Sequence, residues 1–161
     1  MAVVRRRSPL EREIHQTRPF RSRTQEGVLG LLRTVDLVRR TLSAVVEPHG
    51  ITLQQYNVLR ILRGSGGAGL PTLDIAERMI ERAPGITRLM DRLESKGFVK
   101  RERCDEDRRQ VLCWINRAGL DLLERLEESM AGADRECLGM LSRRELQQLI
   151  GLLDQVRAGH A

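Results

Sequence analysis

Apolar residues recur at helical spacing along most of this 161-residue chain, and the pattern changes to alternation in one place only, between Phe98 and Ile115. Recurrence every three or four positions forms one face of an α-helix, whereas alternation indicates a half-buried strand. Aromatic residues make up only 2% of the chain, so the core has to be built from aliphatic side chains, as helix-on-helix packing is. The sequence therefore predicts a mainly α fold with one small β-hairpin.

Local start and stop signals divide the helical part into six segments. A long amphipathic helix is predicted over 25–47, ended by Pro48 and Gly50. Three short helices follow it before the change of pattern, and two more come after. The predicted N-caps are Thr52, Thr72, Asn116 and Ser142, and Pro84 fits the first position of the third short helix.

The alternating stretch predicts strands over 98–103 and 110–115, joined by the charged tip 104–109. Two short helices followed at once by a charged hairpin form a winged helix-turn-helix, whose second helix fits the major groove of DNA. The winged helix region is thus predicted over 52–116. The alternatives are a helical pair in an all-α core and a hairpin whose charges only prevent edge pairing.

Net charge is unevenly distributed along the chain. Residues 1–24 carry seven arginines and two glutamates, for a net charge of +5. The net charge is +3 over 78–109 and −2 over 110–161, which suits a polyanionic partner. Residues 1–24 are predicted to be a flexible basic arm that either lies along phosphates or is disordered, and residues 25–161 a single domain.

The second short helix of the pair carries small, polar or basic residues opposite its apolar stripe. These candidate DNA contacts are Ala83, Gly85, Thr87, Arg88 and Arg92. The small residues would let the helix N-terminus, whose free N–H groups favour anions, come close to the phosphate backbone.

The hairpin adds a second group of candidates at its tip. They are Arg103, Asp107, Arg108 and Arg109. An arginine at a hairpin tip can enter the narrow minor groove, while a neighbouring carboxylate fixes its direction.

Several function classes have no support in the sequence. Three cysteines without C-x-x-C spacing argue against a zinc site or a disulfide framework and favour a reducing cytoplasm. No secretory signal is present, and no run approaches the roughly 18–20 apolar residues that cross a membrane. The histidines are scattered, and no nucleophile elbow or phosphate loop occurs, so we expect no enzyme, no metal and no cofactor.

Three segments in this order resemble the MarR family of bacterial transcription regulators, over about residues 25–158. I-T-R-L-M-D-R-L-E-S-K-G-F-V at 86–99 is similar to the family's recognition helix running into its first wing strand. D-R-R at 107–109 followed by I-N-R-A-G at 115–119 resembles its wing pattern, with Asn116 in place of the usual Thr and able to keep the capping role. L-S-R-R-E-L-Q-Q-L-I at 141–150 resembles its last dimerisation helix.

The resemblance implies a two-fold homodimer whose first and last helices, 25–47 and 117–161, interlock. Such a dimer would bind double-stranded DNA at a pseudo-palindromic operator, with half-sites about one helical turn, ~34 Å, apart. It also implies groove and phosphate contacts for Thr87, Arg88 and Arg92 and an orienting role for Asp107.

The resemblance further implies a repressor that a small phenolic or lipophilic effector releases from DNA. His49 and Tyr56 lie near the junction where such compounds bind, although a helix-end histidine and a core tyrosine are the simpler interpretations. Two alternatives remain open: a thiol-redox regulator using Cys104, and a winged-helix protein-interaction module without DNA binding. Cys113 is expected to be buried.

Overall fold

The structure, a computed structural model, describes residues 6–82, 85–104 and 110–160. Its helices are α1 (Pro9–Glu13), α2 (Arg23–Val46), α3 (Leu53–Gly64), α4 (Thr72–Arg78), α5 (Ile86–Ser95), α6 (Arg117–Leu138) and α7 (Arg143–Ala158). Its strands are β1 (Leu70–Pro71), β2 (Val99–Arg103) and β3 (Val111–Ile115). The predicted mainly α fold with a small hairpin is confirmed. Within the described ranges, no helix is long and apolar enough to cross a membrane.

Residues 1–40 form the first of two compact units, and its short helix α1 was not predicted. Ser8 and Glu11 make a capping box in which each backbone N–H donates to the other's side chain, at 3.2 and 2.8 Å. Glu13 accepts a 2.7 Å bond from Arg33 Nε, which ties α1 to α2. A helix of five residues contains too few apolar positions for helical spacing to be recognised in the sequence. That residues 1–24 are a flexible arm remains a prediction.

Residues 41–161 form the second unit, whose core lies among α3, α4, α5, α6 and the sheet. The fully buried residues are aliphatic, as the shortage of aromatic residues predicts. They include Val58, Leu59, Leu62, Ile75, Met90, Leu93, Leu122, Leu123 and Leu126. Their spacing at three or four positions within each helix explains why the helices form where the apolar period predicts them.

The three strands pair in the order β1-β3-β2, and both pairings are antiparallel. The β2–β3 hairpin was predicted, with Val99 opposite Ile115 and Arg103 opposite Val111. Strand β1 was missed because two residues cannot show alternation. It fits beside β3 because Gly69 has no side chain: a Cβ there would lie 2.4 Å from Trp114 Cζ2.

The helix starts agree with the predicted N-caps except at Thr72. The start predicted at Pro84 was also wrong, because α5 begins at Ile86 with Gly85 as its N-cap. The side chains of Thr52, Asn116 and Ser142 each accept a bond from the backbone N–H three residues on. Thr72 was wrongly predicted as a cap: it is the first residue of α4, after Pro71. Its hydroxyl instead donates to the carbonyl of Val111 at 3.4 Å, because strand β3 passes beside it.

Two helices leave apolar side chains exposed. On α2 these are Val28, Leu31, Leu32, Val35 and Leu37, and on α7 they are Ile150, Leu152 and Val156. No residue of α7 is buried. Contiguous apolar surface of this kind usually marks a protein contact.

We predict that Gly119→Ala lowers the free energy of unfolding by about 1–3 kcal/mol, because overpacking forces backbone shifts. A Cβ at Gly119, in the first turn of α6, would lie 2.5 Å from the carbonyl oxygen of Phe98 and 2.7 Å from Ile115 Cγ1. Gly132→Ala on the same helix is the matched control, because its Cβ would meet nothing closer than 3.9 Å. The control should raise stability by up to about 1 kcal/mol through helix propensity. Urea denaturation measures the free energy of unfolding of both variants. Equal stability of Gly119→Ala and Gly132→Ala would contradict the packing argument.

Candidate nucleic-acid interface

Helix α5 has one buried face and one exposed face. Met90 and Leu93 are fully buried, and Ile86 and Leu89 are half-buried against the same core. Thr87, Arg88 and Arg92 are exposed on the other side. Among the residues that the structure describes, neither arginine forms an ion pair. Two guanidinium groups therefore stand in solvent on a helix whose opposite face is fixed in the core.

The start of α5 is open. Gly85 occupies the N-cap position without a side-chain cap, and a Cβ added there would meet no atom within 4 Å. The first N–H groups of a helix have no partner inside the helix, and the helix dipole adds positive potential there. This end of α5 can thus approach an anion.

The turn before α5 is held by a side chain that the sequence analysis did not single out. Asn57, on α3, accepts a 3.0 Å hydrogen bond at its Oδ1 from the backbone N–H of Ile80. The bond links the end of α4 to α3 and fixes where the helix-turn-helix turn begins. No sequence signal joins two residues 23 positions apart, so the bond was not predictable.

The wing is joined to α5 by Arg101, which the sequence analysis also missed. Its Nη2 lies 2.7 Å from Asp91 Oδ1 and 2.5 Å from Glu94 Oε2, and its Nε donates to the same Glu94 oxygen at 2.9 Å. Hydrogen bonding to Glu94 is the main cause that raises the pKa of Arg101. One side chain on β2 therefore neutralises two carboxylates of α5 and sets the hairpin against the helix.

Further contacts fix both ends of this region. Lys96, just after α5, donates to the carbonyl of Gly50 and lies 3.4 Å from Gln55 Oε1 at the start of α3. Asn116 donates from Nδ2 to the carbonyl of Gly97 at 2.7 Å, in addition to capping α6. The helix pair, the hairpin and α6 are cross-connected by polar side chains as well as by the core.

The structure places the predicted DNA contacts as follows. Thr87, Arg88 and Arg92 lie on α5, Gly85 is its N-cap, and Arg103 is exposed at the end of β2. The other four, Ala83, Asp107, Arg108 and Arg109, lie outside the described residues, as do Pro84 and the rest of 105–109.

The two candidate ligand residues are separate from each other. His49 is exposed in a 3-10 turn over Glu47–His49. Tyr56 is half-buried on α3, with the Arg60 guanidinium 5.9 Å from its ring centroid. Burial raises the pKa of Tyr56, so its hydroxyl stays neutral near neutral pH. The described residues show no contact between these two side chains.

Cys113 is buried at the centre of the sheet, as predicted. It pairs with Arg101 across the ladder, and its Sγ lies 3.6 Å from Thr72 Oγ1. Burial raises the pKa of its thiol, which makes it a poor nucleophile. Cys104 and Cys137 are half-buried and form no disulfide with any described residue.

A sequence profile of the MarR family matches residues 51–111, which run from the turn before α3 to the start of β3. A crystal structure of a MarR transcription factor from Planctomyces limnophilus is 42% identical, covers 85% of this chain and 99% of its own, and has a TM-score of 0.67. The chain belongs to the MarR family. It is accordingly a transcription regulator with the winged helix fold of that family.

Two other relatives show how far the similarity extends. The homoprotocatechuate degradative operon repressor of Escherichia coli is 26% identical over 127 residues, which are 79% of this chain and 84% of that protein. A MarR family transcriptional regulator from Streptomyces coelicolor, solved in complex with DNA, is 21% identical, covers 89% of this chain and 92% of its own, and has a TM-score of 0.77. At that identity the second comparison shows a common fold.

We predict that Arg101→Ala lowers the free energy of unfolding by about 1–3 kcal/mol, because it removes charge-assisted hydrogen bonds and leaves two carboxylates together. Arg101→Lys should restore only part of the loss, since a single ammonium cannot copy the guanidinium fork. Arg117→Ala is the matched control: Arg117 pairs with Asp121 at 2.8 Å but is 83% exposed. Such exposed pairs contribute at most about 0.5 kcal/mol. Chemical denaturation compares the stabilities of the three variants. An Arg101→Ala variant as stable as the Arg117→Ala control would contradict the stabilising role of the Arg101 ion pairs.

Proposed function

We propose that this MarR family regulator represses transcription in the cytoplasm as a homodimer that binds a pseudo-palindromic operator. Helix α5 would enter the major groove, and the wing, with Arg103, Asp107, Arg108 and Arg109, would reach the adjacent minor groove. The observation that carries the proposal is the exposed face of α5, with Thr87, Arg88 and Arg92 opposite a stripe fixed in the core. A rigid helix with unpaired guanidinium groups beside an open first turn fits a groove lined by base edges and phosphates.

The polarity of the chain supports the same partner. The positive net charge of 78–109 coincides with α5 and the hairpin, while 110–161 is mildly acidic. Arg101 adds to this because it neutralises Asp91 and Glu94, which would otherwise repel phosphates. The relative from Streptomyces coelicolor was solved with DNA, and the relative from Escherichia coli is named a repressor. Both agree with the proposal.

The homodimer is supported by the apolar side chains that α2 and α7 leave exposed. Leu152 is 60% exposed and Val156 51% exposed, on a helix with no buried residue. Burying such stripes against a second copy removes apolar area from water at about 25 cal/mol per Å². Two-fold symmetry would set the two α5 helices about one turn of DNA, ~34 Å, apart.

We also propose that a small aromatic or lipophilic effector releases the protein from DNA. This proposal rests on the resemblance to the family and on the location of Tyr56 on α3, with its ring partly accessible. His49 is a second candidate through its exposure. Selection of binding sites from random DNA, with and without phenolic compounds, tests operator symmetry and effector response together.

We predict that Arg88→Ala relaxes base preference at one operator position and costs about 1–3 kcal/mol there, through loss of a bidentate base contact. Arg109→Ala should instead weaken binding to all DNA sequences evenly and make the affinity less dependent on salt, as the loss of a phosphate contact does. Arg125→Ala on α6 removes the same charge from an exposed position outside the proposed interface. Binding assays titrated with salt separate these effects. Affinities of Arg88→Ala and Arg109→Ala equal to that of Arg125→Ala would count against the assignment.

We predict that Leu152→Glu converts the dimer to monomers, because it places a charge in the apolar stripe of α7. Gln147→Glu, which adds the same charge at an exposed position on the face of α7 opposite Leu152, should leave the dimer intact. Sedimentation equilibrium measures the mass of each variant. A Leu152→Glu protein that stayed dimeric would remove α7 from the interface.

A further inference from the structure

In the amino-terminal segment the acidic side chains are engaged in contacts, whereas the basic side chains are exposed. Glu11 is only 2% exposed and accepts a bond from the Ser8 backbone. Glu13 pairs with Arg33. Glu26 pairs with Arg23 at 2.8 Å, and hydrogen bonding to Ser8, followed by that to Arg23, lowers its pKa. All three carboxylates are thus engaged in holding this unit together.

The arginines of the same segment have no acidic partner among the described residues. We call residues 6–21 the arginine segment. Its five arginines, Arg6, Arg7, Arg12, Arg18 and Arg21, are all exposed. Arg12 donates from Nη1 to the carbonyl of Arg7, and within the described part of the chain none of the five pairs with a carboxylate. The surface of this segment is therefore positive without local compensation.

The segment is also held in place within its own unit. The capping box of α1 fixes its start, and the Glu13–Arg33 pair links it to α2. The side chain of Leu10 approaches Gly30 on α2, where an added Cβ would lie 3.6 Å from Leu10 Cδ2. Side chains presented by an ordered backbone lose less entropy on binding than those of a free tail.

We infer that the arginine segment binds phosphates of the operator duplex, in addition to those bound by α5 and the wing. This inference rests on the proposed function, which supplies the duplex. Guanidinium groups match phosphate oxygens with two parallel hydrogen bonds and keep their charge at any physiological pH. Five of them within sixteen residues, where Glu11 and Glu13 are engaged in other contacts, suit a dense row of phosphates better than a mixed protein surface. Binding of this kind adds affinity for DNA of any sequence.

The test compares two full-length variants that each lose four positive charges. The first replaces Arg6, Arg7, Arg18 and Arg21 with Gln, which leaves the Arg12 hydrogen bond to the backbone in place. The control replaces Arg125, Arg135, Arg143 and Arg144 with Gln; these are exposed on α6 and α7 and form no ion pair with any described residue. Circular dichroism and sedimentation confirm that both are folded dimers. The dissociation constant for the selected operator is then measured from low to high salt.

We expect the slope of log Kd against log salt to become shallower by at least about 2 in the first variant, since each lost phosphate contact contributes about 0.9. The control should change the slope by less than about 0.5, and base preference should be unchanged in both. A first variant with the wild-type slope would overturn the inference, and the arginine segment would then serve another, acidic partner. The proposed function would survive that result if Arg88→Ala still relaxed base preference. A wild-type protein that bound no duplex would overturn both.

Discussion

The ion pairs of Arg101 connect the two surfaces on which a winged helix regulator depends. The hairpin and α5 pack on one core, the hairpin through Val99 and Cys113 and the helix through Met90 and Leu93. Arg101 lies in the middle of β2 and reaches both Asp91 and Glu94 on α5, so the strand and the helix are fixed at two points along the helix. The position of the wing relative to α5 follows from this geometry. A guanidinium suits this role because its planar fork can meet two carboxylates at once.

The sequence predicted best what depends on local pattern. The stripe of α5 and the exposure of Thr87, Arg88 and Arg92 follow from helical spacing alone. The capping boxes at Thr52 and Ser142 were also predictable, because their hydrogen bonds span only three residues. Thr72 was predicted wrongly because a distant contact replaces the local one. Its hydroxyl could cap a helix, but it donates to the carbonyl of Val111 on β3, which lies 39 residues away in the chain.

What the sequence did not predict depends on contacts between distant segments. Strand β1 has only two residues, and its place beside β3 is visible only when Gly69 and Trp114 are brought together in the fold. The bond from Ile80 to Asn57 spans 23 residues. For Arg101 the sequence contained one weak signal. Arg101 lies on the same face of β2 as the buried Val99, and a charged side chain without a partner is unusual there. That signal indicates that Arg101 has a partner but not which carboxylates pair with it.

The bond from Lys96 has a mechanical consequence. Lys96 follows α5 and contacts Gly50 and Gln55 at the start of α3, while Asn57, on α3, holds the turn between α4 and α5. A change in the shape of this winged helix region would break several hydrogen bonds, each of which contributes about 1 kcal/mol. The region therefore moves most easily as one rigid body. In the proposed homodimer, an effector would act at lowest cost on the spacing between the two winged helix regions. A change of a few ångströms in that spacing would take both α5 helices out of register with the grooves, although neither region would change shape.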